Sequence, residues 1–259
     1  MSLKITVLGS GTSSGVPTIG CTCAVCHSKD PRDNRLRPSI LVQRGDCNIV
    51  IDSTPDFRTQ VLRAGIDHLN AVVYTHAHAD HIFGLDDVRP FNFRQKANIP
   101  IYAHQPTFDV IRRVFEYVFD TRERNTTVPK LDVNIVDEDA FDVCGLAFQP
   151  IALMHGDAVI HGYRFGDVAY LTDHSRIPEA SMSKLQGLDV LFLDALRHKP
   201  HPTHSTVEQS IATAQALRPK RTYFTHICHD LPHGATEAAL PEGIFLAYDG
   251  LIIQSENGA

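Results

Sequence analysis

An α/β sandwich is the fold class this sequence predicts, and three observations predict it. Short apolar runs of strand character occur in both halves of the chain. Stretches with helical spacing lie between them, so strands and helices alternate rather than segregate. Hydrophobic residues make up 43% of 259 positions, enough for a sizeable core. The formal net charge of −6 argues against nucleic acid as a partner and leaves room for a small anionic substrate. The start, Met1-Ser2-Leu3-Lys4-Ile5, has no long apolar segment, and no stretch is as long as a membrane span. A cytoplasmic chain without membrane contact is therefore expected. No repeat or linker divides residues 1–259, which read as a single domain.

The elements follow in order. Lys4–Leu8 alternates like a strand and enters the Gly-rich segment from Gly9 to Gly15, which matches no nucleotide-binding pattern and reads as a tight turn. Ser39–Gln43 and Asn48–Ile51 form a hairpin around Arg44-Gly45-Asp46. Phe57–Ala64 is a helix stopped by Gly65. Ala71–Tyr74 is a buried strand, Thr107–Phe119 a helix, and Thr121–Lys130 a polar connection. Leu146–Leu153, His161–Phe165, Val168–Leu171, Val190–Asp194 and Thr222–Thr225 are strands. A capping box, Ser205 to Glu208, opens a helix that ends before Pro219, and Asp249-Gly250 joins a last hairpin. Cys47 and Cys144 are isolated and read as small buried hydrophobes.

His76, His78, Asp80 and His81 fall within six residues, directly after the strand Ala71–Tyr74. On a tight loop they can converge on one point, and imidazole nitrogen and carboxylate oxygen suit first-row divalent metals. One ion cannot readily use all four, so a pair of ions is expected. Further ligands are available at three later strand ends: His155, Asp173 and His226.

This pattern resembles the metallo-β-lactamase superfamily, whose motif H-x-H-x-D-H is followed by a distant His, an Asp and a His. The resemblance implies a four-layer αββα sandwich. It implies that His76, His78 and His155 hold one divalent ion, that Asp80, His81 and His226 hold a second, and that Asp173 bridges them. Asp52 would orient ligand histidines from behind, although the following Ser53-Thr54 departs from the usual small residue and Gly.

Cys21, Cys23 and Cys26 form C-x-C-x-x-C, a zinc knuckle at about residues 20–27 that needs a fourth ligand. His229 is the first choice, and Cys228 competes with it. Gly15-Val16-Pro17, the knuckle, and Thr225-His226-Ile227-Cys228-His229 are together similar to the phosphodiesterase branch of the bacterial carbon–phosphorus lyase pathway. That resemblance implies a structural zinc and two active-site ions, zinc or manganese. It implies a phosphodiesterase acting on a small phosphate ester, cyclic esters included, through a metal-bridging hydroxide. Asp80 and Asp173 would act through the ions. His204, before the capped helix, would supply the proton for the leaving group, with His201 and His198 as nearby alternatives. Arg89 pairs more readily with Asp86 or Asp87 than with phosphate. A lactonase, a thioesterase, RNA 3′ processing and a carrier-like role without catalysis are the competing functions. A homodimer is compatible with the sequence.

Overall fold

The computed structural model describes residues 2–120 and 127–255, and its strands form two seven-stranded sheets. The first holds β1 (Leu3–Gly9), β2 (Ser39–Arg44), β3 (Cys47–Ile51), β4 (Ala71–Val73), β5 (Ile99–Ala103) and β6 (Leu131–Ile135), side by side in chain order. The second holds β7 (Phe141–Val143), β8 (Leu146–His155), β9 (Ala158–Phe165), β10 (Val168–Leu171), β11 (Val190–Asp194), β12 (Arg221–Thr225) and β13 (Ile244–Leu246), again in chain order. β14 (Ile252–Ser255) crosses back to pair antiparallel with β1. The helices are α1 (Phe57–Ala64), α2 (Ala79–Ile82), α3 (Arg89–Gln95), α4 (Gln105–Val114), α5 (Glu116–Phe119), α6 (Glu179–Met182), α7 (Val207–Leu217) and α8 (His233–Ala239). No helix among the described residues is long and apolar enough to cross a membrane.

Period-two alternation sorts the apolar side chains into layers. Ile5, Val42, Ile49 and Val73 of the first sheet meet Phe148, Phe165, Tyr170 and Phe192 of the second in one cluster. Their neighbours Leu8, Leu41, Val50 and Val72 face the other way, onto Phe57 and Val61 of α1 and Ile111 of α4. On the second sheet Ala169, Leu171, Leu191 and Leu193 turn outward onto Val207, Ala214 and Leu217 of α7. Helix, sheet, sheet and helix is the expected four-layer αββα order. Strands covered on both faces carry nearly continuous apolar runs, which is why they stand out in the sequence.

Several local expectations need correction. Cys47 and Cys144 are not isolated: a disulfide joins them, tying β3 to the turn between β7 and β8, and Cys144 is exposed. Asp249-Gly250 is not a hairpin turn, because β13 and β14 lie in different sheets. The Asp249 carboxylate accepts from the Ser10 amide, the Ser10 hydroxyl and the Leu36 amide, each at 2.9 Å, and so draws the chain across to β1. The capping box is one residue later than expected. Thr206 Oγ1 accepts the Gln209 amide at 3.2 Å and Gln209 Oε1 accepts the Thr206 amide at 2.8 Å, while the Ser205 hydroxyl donates to His174 O. The expected helix Thr107–Phe119 breaks at Phe115 (φ −107°, ψ 40°), whose ring packs against Phe83. The connection read as Thr121–Lys130 is described only from 127 to 130; the rest lies outside the described residues.

Phe148 is fully buried between the sheets, with the rings of Phe141, Phe165 and Tyr163 at 5.6, 5.1 and 6.3 Å. Phe148→Ala is expected to cost about 3–5 kcal/mol in urea unfolding. A loss below about 1 kcal/mol would show that the layers are not tightly packed there.

Candidate metal centres

β3 ends at Ile51, and Asp52 follows in the left-handed region, φ 68°, its amide bonded to Val73 O at 2.9 Å. Its buried carboxylate accepts the Thr75 amide, the Thr75 hydroxyl and His81 Nδ1–H, each at 2.8 Å. Burial pushes the Asp52 carboxyl up, and His81 opposes that push. With its proton given to Asp52, the Thr75 hydroxyl is left to accept from His76 Nδ1 at 3.0 Å. Both rings are thus fixed through Nδ1, which leaves Nε2 as the nitrogen available to a metal. Ser53 and Thr54, which depart from the family pattern, bond to Tyr74 and Gln60 and leave the Asp52 contacts intact.

The sequence reading placed the whole run His76–His81 on a loop, but its second half is helical. His78 is the extended residue before the single turn of α2, and Asp80 and His81 lie inside that turn. The bend separates the run into two halves. The second sheet supplies the rest from the same edge. β8 ends in His155, whose Nδ1–H donates to Thr203 O at 3.0 Å. Asp173 and His226 follow β10 and β12, both left-handed at φ 58°. β10, β11 and β12 are parallel, and β8 runs with them because β9 is antiparallel to both β8 and β10. All these side chains therefore gather outside the carboxyl ends of the strands, where open α/β sheets place ligands.

The structure brings together every active-site ligand expected from the sequence. His76, His78 and His155 form one group and Asp80, His81, Asp173 and His226 another, with the ligand atoms of each group within 4.8 Å of one another. Asp173 touches both: its oxygens lie 3.9 Å from His76 Nε2, 3.4 Å from His81 Nε2 and 3.1 Å from His226 Nε2. His76 Nε2, Asp80 Oδ2, His81 Nε2 and His226 Nε2 are buried without a hydrogen-bond partner. Buried polar atoms are rarely left so, and lone pairs converging from several sides fit a cation. The charges agree. Burial pulls His76 well below the usual histidine range. Burial alone would also lower His81 and His226, yet Asp173 and the other carboxylates outweigh it, holding His81 well above the usual range and His226 at about 10. Protons trapped between carboxylates and rings are what a divalent ion displaces.

The knuckle gathers as well. His229 Nδ1 lies 3.1 Å from Cys21 Sγ, 3.5 Å from Cys23 Sγ and 3.6 Å from Cys26 Sγ. About a tetrahedral zinc, sulfur and nitrogen ligands stand roughly 3.5 Å apart. The Cys23 thiol is drawn down to about 6, first by the Cys26 amide. Cys228 is not in the group; its buried sulfur accepts the Asp230 amide at 3.3 Å.

Of the three histidines considered for the leaving group, His204 sits at the site. Its ring stacks on His226 at 4.5 Å and its ligand atom falls in one group with His155 and Asp173. His198 instead pairs with exposed Glu208 at 2.6 Å, and His201 lies one ring further out. Arg89 lies 3.7 Å from Asp86 and donates to Thr127 O, as the pairing expectation had it. Sequence reasoning missed Asp194, Thr75 and Thr203. Asp194 Oδ2 accepts His204 Nδ1–H at 2.8 Å. Its signal was available: Asp194 closes the apolar run Val190–Asp194, much as Asp52 and Asp173 follow theirs. Thr203 acts through its backbone, which no side-chain pattern could reveal.

Residues 47–227 match the family described as "Beta-lactamase superfamily domain". A crystal structure of a new diphosphatase from the PhnP family is 54% identical, covers 100% of this chain and 99% of its own, and superposes with a TM-score of 0.94. An octanoyltransferase of Porphyromonas gingivalis is 40% identical over 96% of this chain and 51% of its own length. A ribonuclease Z of Archaeoglobus fulgidus is 28% identical over 64% of this chain and 50% of its own. The chain spans about half the length of these two curated relatives.

Metal analysis of purified variants separates the centres. Cys23→Ser is expected to lower bound zinc by one equivalent per chain, while Asp80→Ala lowers active-site metal and leaves that equivalent in place. Unchanged zinc in Cys23→Ser would refute the knuckle.

Proposed function

The chain belongs to the beta-lactamase superfamily and is a metal-dependent hydrolase, and on that premise we propose a two-metal phosphodiesterase acting on a small phosphate ester or diphosphate. His76, His78 and His155 would hold one divalent ion, Asp80, His81 and His226 would hold the other, and Asp173 would serve both. The contact of Asp173 with both groups carries this reading. Zinc or manganese suits these donors, and Cys21, Cys23, Cys26 and His229 suit a structural zinc. Residues 1–259 are read as one domain with this knuckle pinned beside the site.

Bound ions would supply an activated water and a clamp on the phosphoryl oxygens. The remaining work falls to this chain. Asp194, which burial pushes to about 7, fixes His204 by Nδ1 and leaves Nε2 as the free ring nitrogen. Burial holds His204 down at about 3, so the ring rests neutral. An anionic phosphoryl group beside it favours the protonated ring, which can then deliver its proton to the leaving oxygen. His76, His81 and His155 are each fixed by Nδ1, so substrate binding need not reorganise them.

The diphosphatase and ribonuclease Z relatives both favour phosphorus over lactone or thioester chemistry. RNA is the second reading, favoured by the ribonuclease Z match and opposed by the net charge of −6. A full set of gathered donors, all of them buried except His78, speaks against a carrier-like role.

The metal-loaded protein should hydrolyse bis-p-nitrophenyl phosphate and small diphosphate diesters. Turnover confined to a lactone or thioester panel would overturn the proposal. His204→Ala should slow substrates with poor leaving groups by about 100-fold or more and p-nitrophenolate release far less. Equal slowing of both would remove His204 as the proton donor.

A further inference from the structure

The loop from Arg197 to His204 sends one ring into the site and keeps a second, His201, that the proposed chemistry leaves unused. The rings step outward. His226 is buried, His204 stacks on it at 4.5 Å and 11°, and His201 follows at 5.0 Å and 48°, partly exposed. The Thr203 amide donates to His201 Nδ1 at 3.3 Å. A backbone N–H can only donate, so Nδ1 is the acceptor and the neutral ring carries its proton on Nε2. Burial, then the charges of His204 and Arg197, keep His201 below the usual histidine value, consistent with a neutral ring. Thr203 also receives His155 Nδ1–H on its carbonyl, so one residue aligns a candidate ligand and His201 together. Gly156 makes room for it: a Cβ there would stand 3.1 Å from Thr203 Cγ2.

Arg197 completes the arrangement. Its guanidinium donates to Lys199 O at 3.2 Å and Pro200 O at 3.4 Å, bracing the segment before His201. Among the described residues it has no carboxylate within ion-pair distance. His198, by contrast, is taken up by Glu208.

We propose that His201 is a specificity residue whose Nε2–H, backed by the charge of Arg197, binds a second phosphoryl group on the leaving side of the scissile bond. The favoured substrates are then diphosphate diesters, cleaved at one phosphorus while the other is held one ring further out. This rests on the reading of His204 as the leaving-group residue.

The test compares the metal-loaded wild type with His201→Ala and His201→Gln, whose amide can donate where Nε2–H did. The ratio of kcat/KM for a dinucleoside diphosphate to that for bis-p-nitrophenyl phosphate should fall about tenfold in His201→Ala, the loss lying in KM, and recover in His201→Gln. An unchanged ratio would overturn the proposal, as would equal loss in both variants. Calorimetry keeps the subsite apart from the reaction. Inorganic diphosphate should bind His201→Ala about tenfold more weakly, with orthophosphate binding altered far less. Should the wild type hydrolyse neither phosphoester, the phosphodiesterase reading fails, and this binding difference alone supports or overturns the subsite.

Discussion

Asp52 has no exposed surface, and a carboxylate removed from water is tolerated only when its oxygens are bonded. The whole run after β4 is shaped by that demand. One oxygen takes the Thr75 amide, which fixes where the chain leaves the strand. The other takes the Thr75 hydroxyl and His81 Nδ1, which turns His81 and, through Thr75, His76. Two rings on different halves of the run are therefore aimed by a single buried group from the neighbouring strand. The second sheet repeats the device with other partners, Asp194 behind His204 and Thr203 O behind His155.

The knuckle and the active site share one short segment. Ile227 N bonds to Ser10 O and Thr12 N to Ile227 O, so the Gly-rich turn is stitched to the strand end that presents His226. Arg35, fully buried and paired with Asp33 at 2.9 Å, donates to Cys228 O and Leu231 O on either side of His229. Gly11 permits this approach, because a Cβ there would stand 2.8 Å from Arg35. The Gly-rich segment, expected only to be a tight turn, thus also serves backbone closeness.

What the sequence disclosed follows from where side chains alone decide. Strands covered on both faces announced themselves as apolar runs, and the ligand types stood at their ends. Val168–Leu171 and Val190–Asp194 have the bounds expected of them. Where backbone atoms or distant partners decide, the sequence was silent. Thr203 works through its amide and carbonyl. The Cys47–Cys144 bridge spans 97 positions, and the crossing at Asp249 depends on Ser10 and Leu36, at the far end of the chain. Ser205 is not the cap: its hydroxyl is turned to donate to His174 O, 31 positions away.

Asp52, Asp173 and His226 all hold φ between 58° and 68°, where glycine would sit at ease and a residue with a Cβ pays of order 1–3 kcal/mol. Selection for thermal stability alone would therefore drift toward glycine at these positions, and each step would discard either a candidate ligand (Asp173, His226) or the carboxylate that orients two of them (Asp52). A stabilised library drawn from this chain should be sorted first by metal content and only then by melting temperature, since the two pull against each other at the same three residues.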